Sequence, residues 1–310
     1  MNPLQIVRME FHISYACANN CIFCSESDQL NRFKDVFVDK NIIFEALGKA
    51  VKKGISHISF TGGEPTLHPD IVEILSFAKS CGLKTYIGSN GSSFASDKFC
   101  DAVLPYLDEV CLSIHGPCTK IHNTHTSNPQ SFNRLKKAFS NINNNLNPVT
   151  LFSNTVITPY NMDFLLEIVD FVSHFRKLRH MLFSFVAPDG KGLRHFCRLT
   201  PRLRSITRLL PDLSRICEKK SIDLKFFGMP LCALRNYEKL SNDLYWSPRV
   251  TFELWKGRKA TYLKRTKNLR PIRNRTKLFL CRRCIKKDLC GGVFYEYAHT
   301  IEPNEIRPIK

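Results

Sequence analysis

Acidic residues are scarce in this chain of 310 residues. Lys and Arg number 46 against 27 Asp and Glu, so the formal charge is +19. That deficit points to an acidic partner, a polyanion, or a basic surface that serves solubility alone. Long apolar runs are missing too. No window approaches 18 uninterrupted apolar residues, so no transmembrane helix is expected. The first residues, MNPLQIVRMEF, mix charge with apolar side chains and lack the apolar centre of a secretory signal. Export is therefore not expected, and a cytoplasmic setting is. Neither a winged-helix-like leader-binding domain at either end nor a methyltransferase domain is expected, and no repeat shows beyond the strand–helix period. Apolar residues still make up 43%, which supports a real core and excludes a disordered or fibrous chain. The length allows one large domain or two unequal ones.

Cysteine is plentiful. Thirteen is an odd number, and a chain this long can stabilise its own core, so a disulfide framework fits poorly. Cys17, Cys21 and Cys24 form one cluster, and Cys281, Cys284 and Cys290 another. Clustered thiols in a chain that is not exported read first as metal or iron–sulfur ligands.

Six strand-then-helix units follow in order. Short apolar, β-branched or aromatic runs place strands near 5–14, 55–60, 83–88, 109–114, 149–157 and 181–187. Helices are expected near 40–53, 69–80, 94–105, 131–143, 161–176 and 201–220. In the fifth, Phe164, Leu165, Ile168, Val169 and Val172 share one face. Repeated βα units argue for an α/β fold with a parallel sheet, as a barrel or an open doubly wound sheet. In both, ligands sit beyond the carboxyl ends of the strands. The run Pro188-Asp189-Gly190-Lys191-Gly192 is a turn signal, and the Asn-rich run 141–147 reads as a helix end and loop. After residue 220 the strand–helix rhythm stops. Residues 249–287 hold 15 Lys or Arg and one acid, Glu253. The expected division is a larger region, 1–220, and a smaller basic one, 221–310, with its own cysteines.

Cys17-Ala18-Asn19-Asn20-Cys21-Ile22-Phe23-Cys24 directly follows the first strand. Three thiolates in so short a stretch can converge on one centre. Zinc would want a fourth close ligand, for which His12 is the nearby candidate. Three thiolates alone suit an iron–sulfur cluster with one iron open to a substrate. C-x3-C-x2-C with an aromatic before the third cysteine resembles the radical S-adenosylmethionine (radical SAM) superfamily. Further motifs match in order. Thr61-Gly62-Gly63-Glu64-Pro65-Thr66 follows the second strand, and Ser89-Asn90-Gly91 the third. Leu112-Ser113-Ile114-His115-Gly116 ends the fourth, and Asn154-Thr155-Val156-Ile157 lies in the fifth. The resemblance covers about residues 1–200.

The resemblance implies a partial (β/α)6 TIM barrel. It also implies a four-iron four-sulfur cluster on Cys17, Cys21 and Cys24, whose fourth iron is chelated by S-adenosylmethionine. Reductive cleavage then yields a 5′-deoxyadenosyl radical that abstracts hydrogen from a substrate. The cofactor does the hard step, and the protein binds, orients and excludes side reactions. By resemblance Phe23 lies against the adenine, Gly62 and Gly63 let backbone approach the ligand, and Glu64 accepts from the methionine ammonium. Ser113 and Asn154 face the ribose and carboxylate. Plainer readings stand beside these: a core phenylalanine, a tight turn, a solvated acid, and hydrogen bonds local to the sheet. Ser89 replaces the family's usual threonine, and Asn90 is also an ordinary turn residue. His115, Cys118, His122 and His125 could pass for a zinc site, but read better as loop residues lining or covering the active site.

Cys281, Cys284 and Cys290, with Cys232 upstream as a fourth thiol, resemble the C-terminal auxiliary-cluster extensions called twitch domains, shorter than SPASM domains. This implies a second four-iron four-sulfur cluster, with a zinc knuckle as the competitor. Cys81, Cys100, Cys111, Cys197 and Cys217 read as small buried apolar residues. The expected function is a radical SAM enzyme acting on an acidic peptide, as maturases do, or on an anionic small molecule. RNA modification is the alternative, from the basic run interleaved with Trp255, Tyr262 and Phe279. A non-enzymatic iron–sulfur or zinc-bearing nucleic-acid-binding protein is the second. The expected partners are S-adenosylmethionine and a one-electron donor such as flavodoxin or ferredoxin, with no membrane. No residue stands out as catalytic acid or base; Cys118, Cys197 and Tyr295 are candidate radical donors that read better as structural.

Overall fold

A computed structural model describes residues 6–258, 260–300 and 305–310. Six strands fall on the expected runs: β1 (Arg8–Ser14), β2 (His57–Gly62), β3 (Lys84–Ser89), β4 (Glu109–Ser113), β5 (Thr150–Val156) and β6 (Leu178–Ser184). Residue 5, where the first strand was expected to begin, lies outside the described residues. β6 sits three residues earlier than its apolar run, because its first half alternates charged side chains with buried ones. Helices α1 (Ser27–Arg32) and α2 (Lys40–Val51) follow β1, α3 (Ile71–Ser80) follows β2, and α4 (Asp97–Val103) follows β3. Then come α5 (Thr119–Thr126) and α6 (Ser131–Asn144) after β4, and α7 (Leu165–Ser173) after β5. After β6 come α8 (Gly190–Arg194), α9 (Phe196–Leu199) and α10 (Leu203–Lys219).

The rhythm does not stop at residue 220. β7 (Asp223–Phe227), β8 (Arg249–Lys256) and β9 (Thr261–Asn268) join the same sheet, whose order is β7-β6-β5-β4-β3-β2-β1-β8-β9. β1 to β7 pair in parallel, β8 runs parallel to β1, and β9 folds back antiparallel on β8. The sheet has two edges, β7 and β9, and is not closed into a barrel. The chain continues into a short antiparallel pair, β10 (Arg275–Thr276) and β11 (Val293–Phe294), and α11 (Tyr295–Thr300).

Side chains alternate across the sheet. Met9, Phe11, Ile58, Phe60 and Ile87 join the apolar stripes of the helices, such as Ile43 and Leu47 of α2 and Leu135 and Phe139 of α6, in one core. The opposite face carries Glu10, His12, Ser59, Thr61, Cys111, Ser113 and Asn154, a polar wall set by the pairings Glu10↔Ser59, His12↔Thr61 and Ser113↔Asn154. Residues beyond β9 are fixed by an ion pair between Arg275 and Asp243, both nearly inaccessible, with the guanidinium 5.0 Å from the Phe227 ring and 5.1 Å from Phe294. Among the described residues, no helix is long and apolar enough to cross a membrane.

Candidate functional site

The loop Cys17–Cys24 leaves the carboxyl end of β1, where the fold rule places ligands. It is tied down on three sides. The Asn20 and Ile22 amides donate to the Thr126 and His125 carbonyls at the end of α5, both at 2.9 Å. The Asn128 amide group donates to Ala18 O (3.2 Å) and Asn19 Oδ1 (2.8 Å). From the far side the Lys191 amide donates to Cys24 O at 3.0 Å and to Ser27 Oγ at 2.9 Å. The Pro188–Gly192 run is thus a brace for the cysteine loop. Gly190 is what lets it close in: its φ is +54°, and a Cβ there would lie 2.6 Å from Ser25 O.

Burial pushes the Cys17 thiol up to about 11 and raises those of Cys21 and Cys24. Three bare thiolates this close would be costly here, whereas a bound iron centre would stabilise them. The Asn90 side chain donates to Cys17 Sγ at 3.7 Å, and its backbone amide donates to Glu64 Oε2 at 2.7 Å. One residue therefore bridges a sulfur and the carboxylate.

Glu64 is completely buried and caps the turn Pro65–Leu67. Its Oε1 accepts from the Thr66 amide (3.2 Å), Thr66 Oγ1 (2.6 Å) and Ser89 Oγ (2.8 Å). Burial raises its pKa in spite of these donors. Among the described residues it has no cationic partner, and Oε2 carries a single donor. A buried carboxylate solvated only by neutral donors is suited to an incoming ammonium. Gly62 and Gly63 serve a close approach within the chain itself. Cβ atoms there would lie 2.4 Å from Ser14 O and 2.5 Å from Ala16 O, so these glycines seat β2 against the end of β1.

Ser113 and Asn154 sit side by side on the polar face. Asn154 Oδ1 accepts from Ser184 Oγ at 2.8 Å, and Ser113 Oγ has no protein partner among the described residues. Phe23 is half-buried and meets the His115 ring edge-on at 4.7 Å. His115, His122 and His125 are buried in and before α5, with near-parallel rings 5.7 and 6.2 Å from His115. Burial lowers all three, His122 to about 3, so the imidazoles are neutral. His122 Nδ1 accepts from the His115 amide (3.1 Å), and His125 Nε2 meets Thr158 Oγ1 (2.7 Å). They pack behind Phe23 and the cysteine loop. Cys118 is exposed at the start of α5. Among the described residues, no three His, Cys, Asp or Glu are arranged to hold a single metal ion.

Two features escaped the sequence reading. His12 lies between Glu10 (3.5 Å) and Glu26 (3.4 Å), and Glu10 also pairs with Arg249 (3.3 Å). Burial opposes the charges, but the partners hold His12 up at about 10 and Glu10 down at about 2. His12 is thus engaged with carboxylates. The other is the support given to Glu64 by Thr66 and Ser89, whose hydroxyls carry no signal until the strand ends are brought together.

Cys232, Cys281, Cys284 and Cys290 line one pocket. Cys290 Sγ accepts from the Leu231 and Gly292 amides, both at 3.4 Å. Burial, then the neighbouring thiols, push Cys232 up to about 11. Of the scattered cysteines, Cys100, Cys111 and Cys217 are buried as expected. Cys81 is half-buried and Cys197 exposed, because Cys197 falls on the outer side of the short helix α9.

The radical SAM superfamily pattern matches residues 11–172. The chain is 28% identical over 202 residues to an S-adenosylmethionine-dependent nucleotide dehydratase of Flammeovirga pacifica, covering 60% of this chain and 65% of that protein. It is 33% identical over 105 residues to a PqqA peptide cyclase of Methylorubrum extorquens (strain PA1), covering 34% of this chain and 27% of that one. The chain thus spans less than two thirds of either relative. The crystal structure of Streptococcus suis SuiB bound to S-adenosylmethionine shares the fold, with a TM-score of 0.61 at 18% identity over 80% of this chain and 59% of that one. With the family pattern spanning the cysteine loop and the strands that face it, the chain belongs to the radical SAM superfamily of enzymes.

Proposed function

We propose that Cys17, Cys21 and Cys24 hold the superfamily's four-iron four-sulfur cluster, and that the substrate is an acidic peptide reaching the polar face of the sheet. When bound, cluster and S-adenosylmethionine supply a 5′-deoxyadenosyl radical that takes a hydrogen atom from the substrate. The observation that carries the reading is Glu64, buried without a cation and bridged by Asn90 to Cys17 Sγ. Its Oε2 receives the methionine ammonium, while Oε1 stays locked by Thr66 and Ser89. Phe23 borders the adenine, the Gly62–Gly63 turn shapes the floor, and Ser113 and Asn154 offer polar atoms to the ribose and carboxylate. Cys232, Cys281, Cys284 and Cys290 hold a second cluster in the 221–310 region. Sulfurs that line a pocket fit a cubane better than one zinc, which would draw them to about 2.3 Å. A flavodoxin or ferredoxin supplies the electron.

The peptide reading is supported by the likeness to peptide cyclases and by the sheet's not closing into a barrel, with β9 as its outermost strand on one side. The longer alignment with a nucleotide dehydratase favours a nucleotide as the second reading. Reconstituted protein should form 5′-deoxyadenosine with dithionite and S-adenosylmethionine. Deuterium should pass into that product from a deuterated acidic peptide and not from a ribose-deuterated nucleoside triphosphate. Transfer from the nucleotide alone would reverse the assignment, and absence of 5′-deoxyadenosine would sink the enzyme reading.

A further inference from the structure

At the opposite end of the strands from the cysteine loop, the outer face of the β8–β9 ribbon is open. α1 reaches only the upper part of β8, where Gln29 donates to Leu254 O at 3.4 Å. Below that point the ribbon faces a groove walled on its other side by α2, enclosing about 1240 Å³ including its open mouth. The floor is Val250, Phe252 and Leu263. The wall is one stripe of α2, Ile42, Ala46 and Ala50, at the four-residue spacing of a helix face. Ile42 is 47% exposed.

The rim is cationic. Lys49 stands on α2 and Lys53 in the turn that follows it, with Arg265 and Lys267 on β9. Glu45 is the acid among the lining residues, and it already pairs with Lys49. Lys53, Arg265 and Lys267 make no ion pair among the described residues.

We infer that this groove docks an amphipathic helical segment of an acidic partner polypeptide. Elsewhere the layer over this face of the sheet is helical, and a helix laid beside α2 would continue it. Ala46 and Ala50 are small enough to allow close approach, Phe252 and Leu263 take the apolar stripe, and the rim takes carboxylates on its flanks. A second copy of a chain of charge +19 would be repelled from this rim. The one aromatic ring of the floor, Phe252, is packed against Phe11 (5.4 Å) and the rest is aliphatic, which offers bases little to stack on or bond to. The inference does not depend on which substrate reaches the other end of the strands.

The test is fluorescence anisotropy on the reconstituted full chain. The probe is a synthetic peptide of about 20 residues, long enough to form a helix on a surface, with Leu along one face and Glu elsewhere. A scrambled peptide of identical composition controls for charge alone. The striped peptide should bind at least about tenfold more tightly than the scrambled one. The triple variant Lys53→Glu, Arg265→Glu, Lys267→Glu should weaken it by about tenfold or more, and Arg134→Glu, Lys136→Glu, Lys137→Glu on α6 should change it little. Ala46→Trp, which fills the groove and keeps the charge, should also weaken it. Circular dichroism confirms that each variant is folded. Equal affinity for striped and scrambled peptides, or equal losses from the β9-side and α6 triples, would overturn the inference. So would self-association abolished by Ala46→Trp, or tighter binding of single-stranded RNA that the groove triple abolishes.

Discussion

The two cysteine sites are assembled in different ways. At Cys17–Cys24 the three thiols lie on one loop at the end of an interior strand, braced by α5, by Asn128 and by Lys191. At the second site, Cys232 comes from a turn after β7, and its three companions arrive on a loop carrying exposed Phe279 (77%) and Ile285 (68%). The first site is part of the sheet; the second exists only once distant segments meet, an arrangement held by the buried Arg275–Asp243 pair. The first should therefore survive loss of the second.

The largest effect is expected at the sheet end. Cys17→Ala, Cys21→Ala or Cys24→Ala should each abolish 5′-deoxyadenosine formation, because in the proposed site each thiolate holds an iron. A single variant that kept substantial cleavage by chromatographic assay would place the centre elsewhere.

Paired changes Cys281→Ala and Cys284→Ala should spare that reaction while product formation stops. Iron should fall by about four per chain. Unchanged iron with lost zinc would instead mark a knuckle, with a less stable C-terminal region. Loss of 5′-deoxyadenosine formation in this variant would erase the contrast between the sites.

The unequal legibility of the sites has the same cause. The six strands and their helices were readable because apolar residues recur at strand or helix period and because the motifs follow each strand end. β8 and β9 were hidden because RVTFELWK and TYLKRTKN interleave charge with apolar residues and read as a basic run. Their identity as strands comes from pairing with β1 and with each other, which no local preference records. Thr66 meets Glu64 within one turn, but Ser89 and Asn90 come from the end of the neighbouring strand β3, so their convergence on Glu64 is a property of sheet order. The α5 histidines carried a metal-like spacing, but their burial makes them neutral packing groups.

A third prediction probes the bracing carboxylate. Glu64→Gln keeps size but removes the charge from a charge-assisted bond of about 1.5–3 kcal/mol. S-adenosylmethionine affinity by calorimetry should fall by about an order of magnitude or more, with iron content unchanged. Among the described residues no equivalent carboxylate lines the second pocket, so cluster content there should be indifferent to the change. Unaltered affinity would remove Glu64 from the site.

The brace behind the first site also carries a pH signature. His122 is held down to about 3 by burial, whereas in the unfolded chain it titrates near 6.5. Between these values the unfolded state binds the extra proton, so stability is lost as pH falls through that window, by up to about 1.4 kcal/mol per pH unit. His122→Phe should flatten the dependence of the urea midpoint between pH 6.5 and 4 relative to the parent. An equally steep profile would show that His122 is not the group responsible.

The smallest expected effect compares how the two sites treat their sulfurs. Cys17 Sγ accepts from a side chain, that of Asn90, whereas Cys290 Sγ accepts from the backbone amides of Leu231 and Gly292. Donors to a cluster sulfur favour its more negative, reduced form, so removing one lowers the reduction potential. A net hydrogen bond of about 0.5–1.5 kcal/mol corresponds to roughly 20–60 mV for one electron. Asn90→Ala should therefore shift the first cluster negative by about that amount in a redox titration followed by electron paramagnetic resonance. Leu231→Met keeps both backbone donors and should leave the second cluster where it was. If Asn90→Ala moved neither potential, the 3.7 Å contact would be packing and not a hydrogen bond, and the sulfur at the sheet end would be no more finely tuned than its counterpart on the loop.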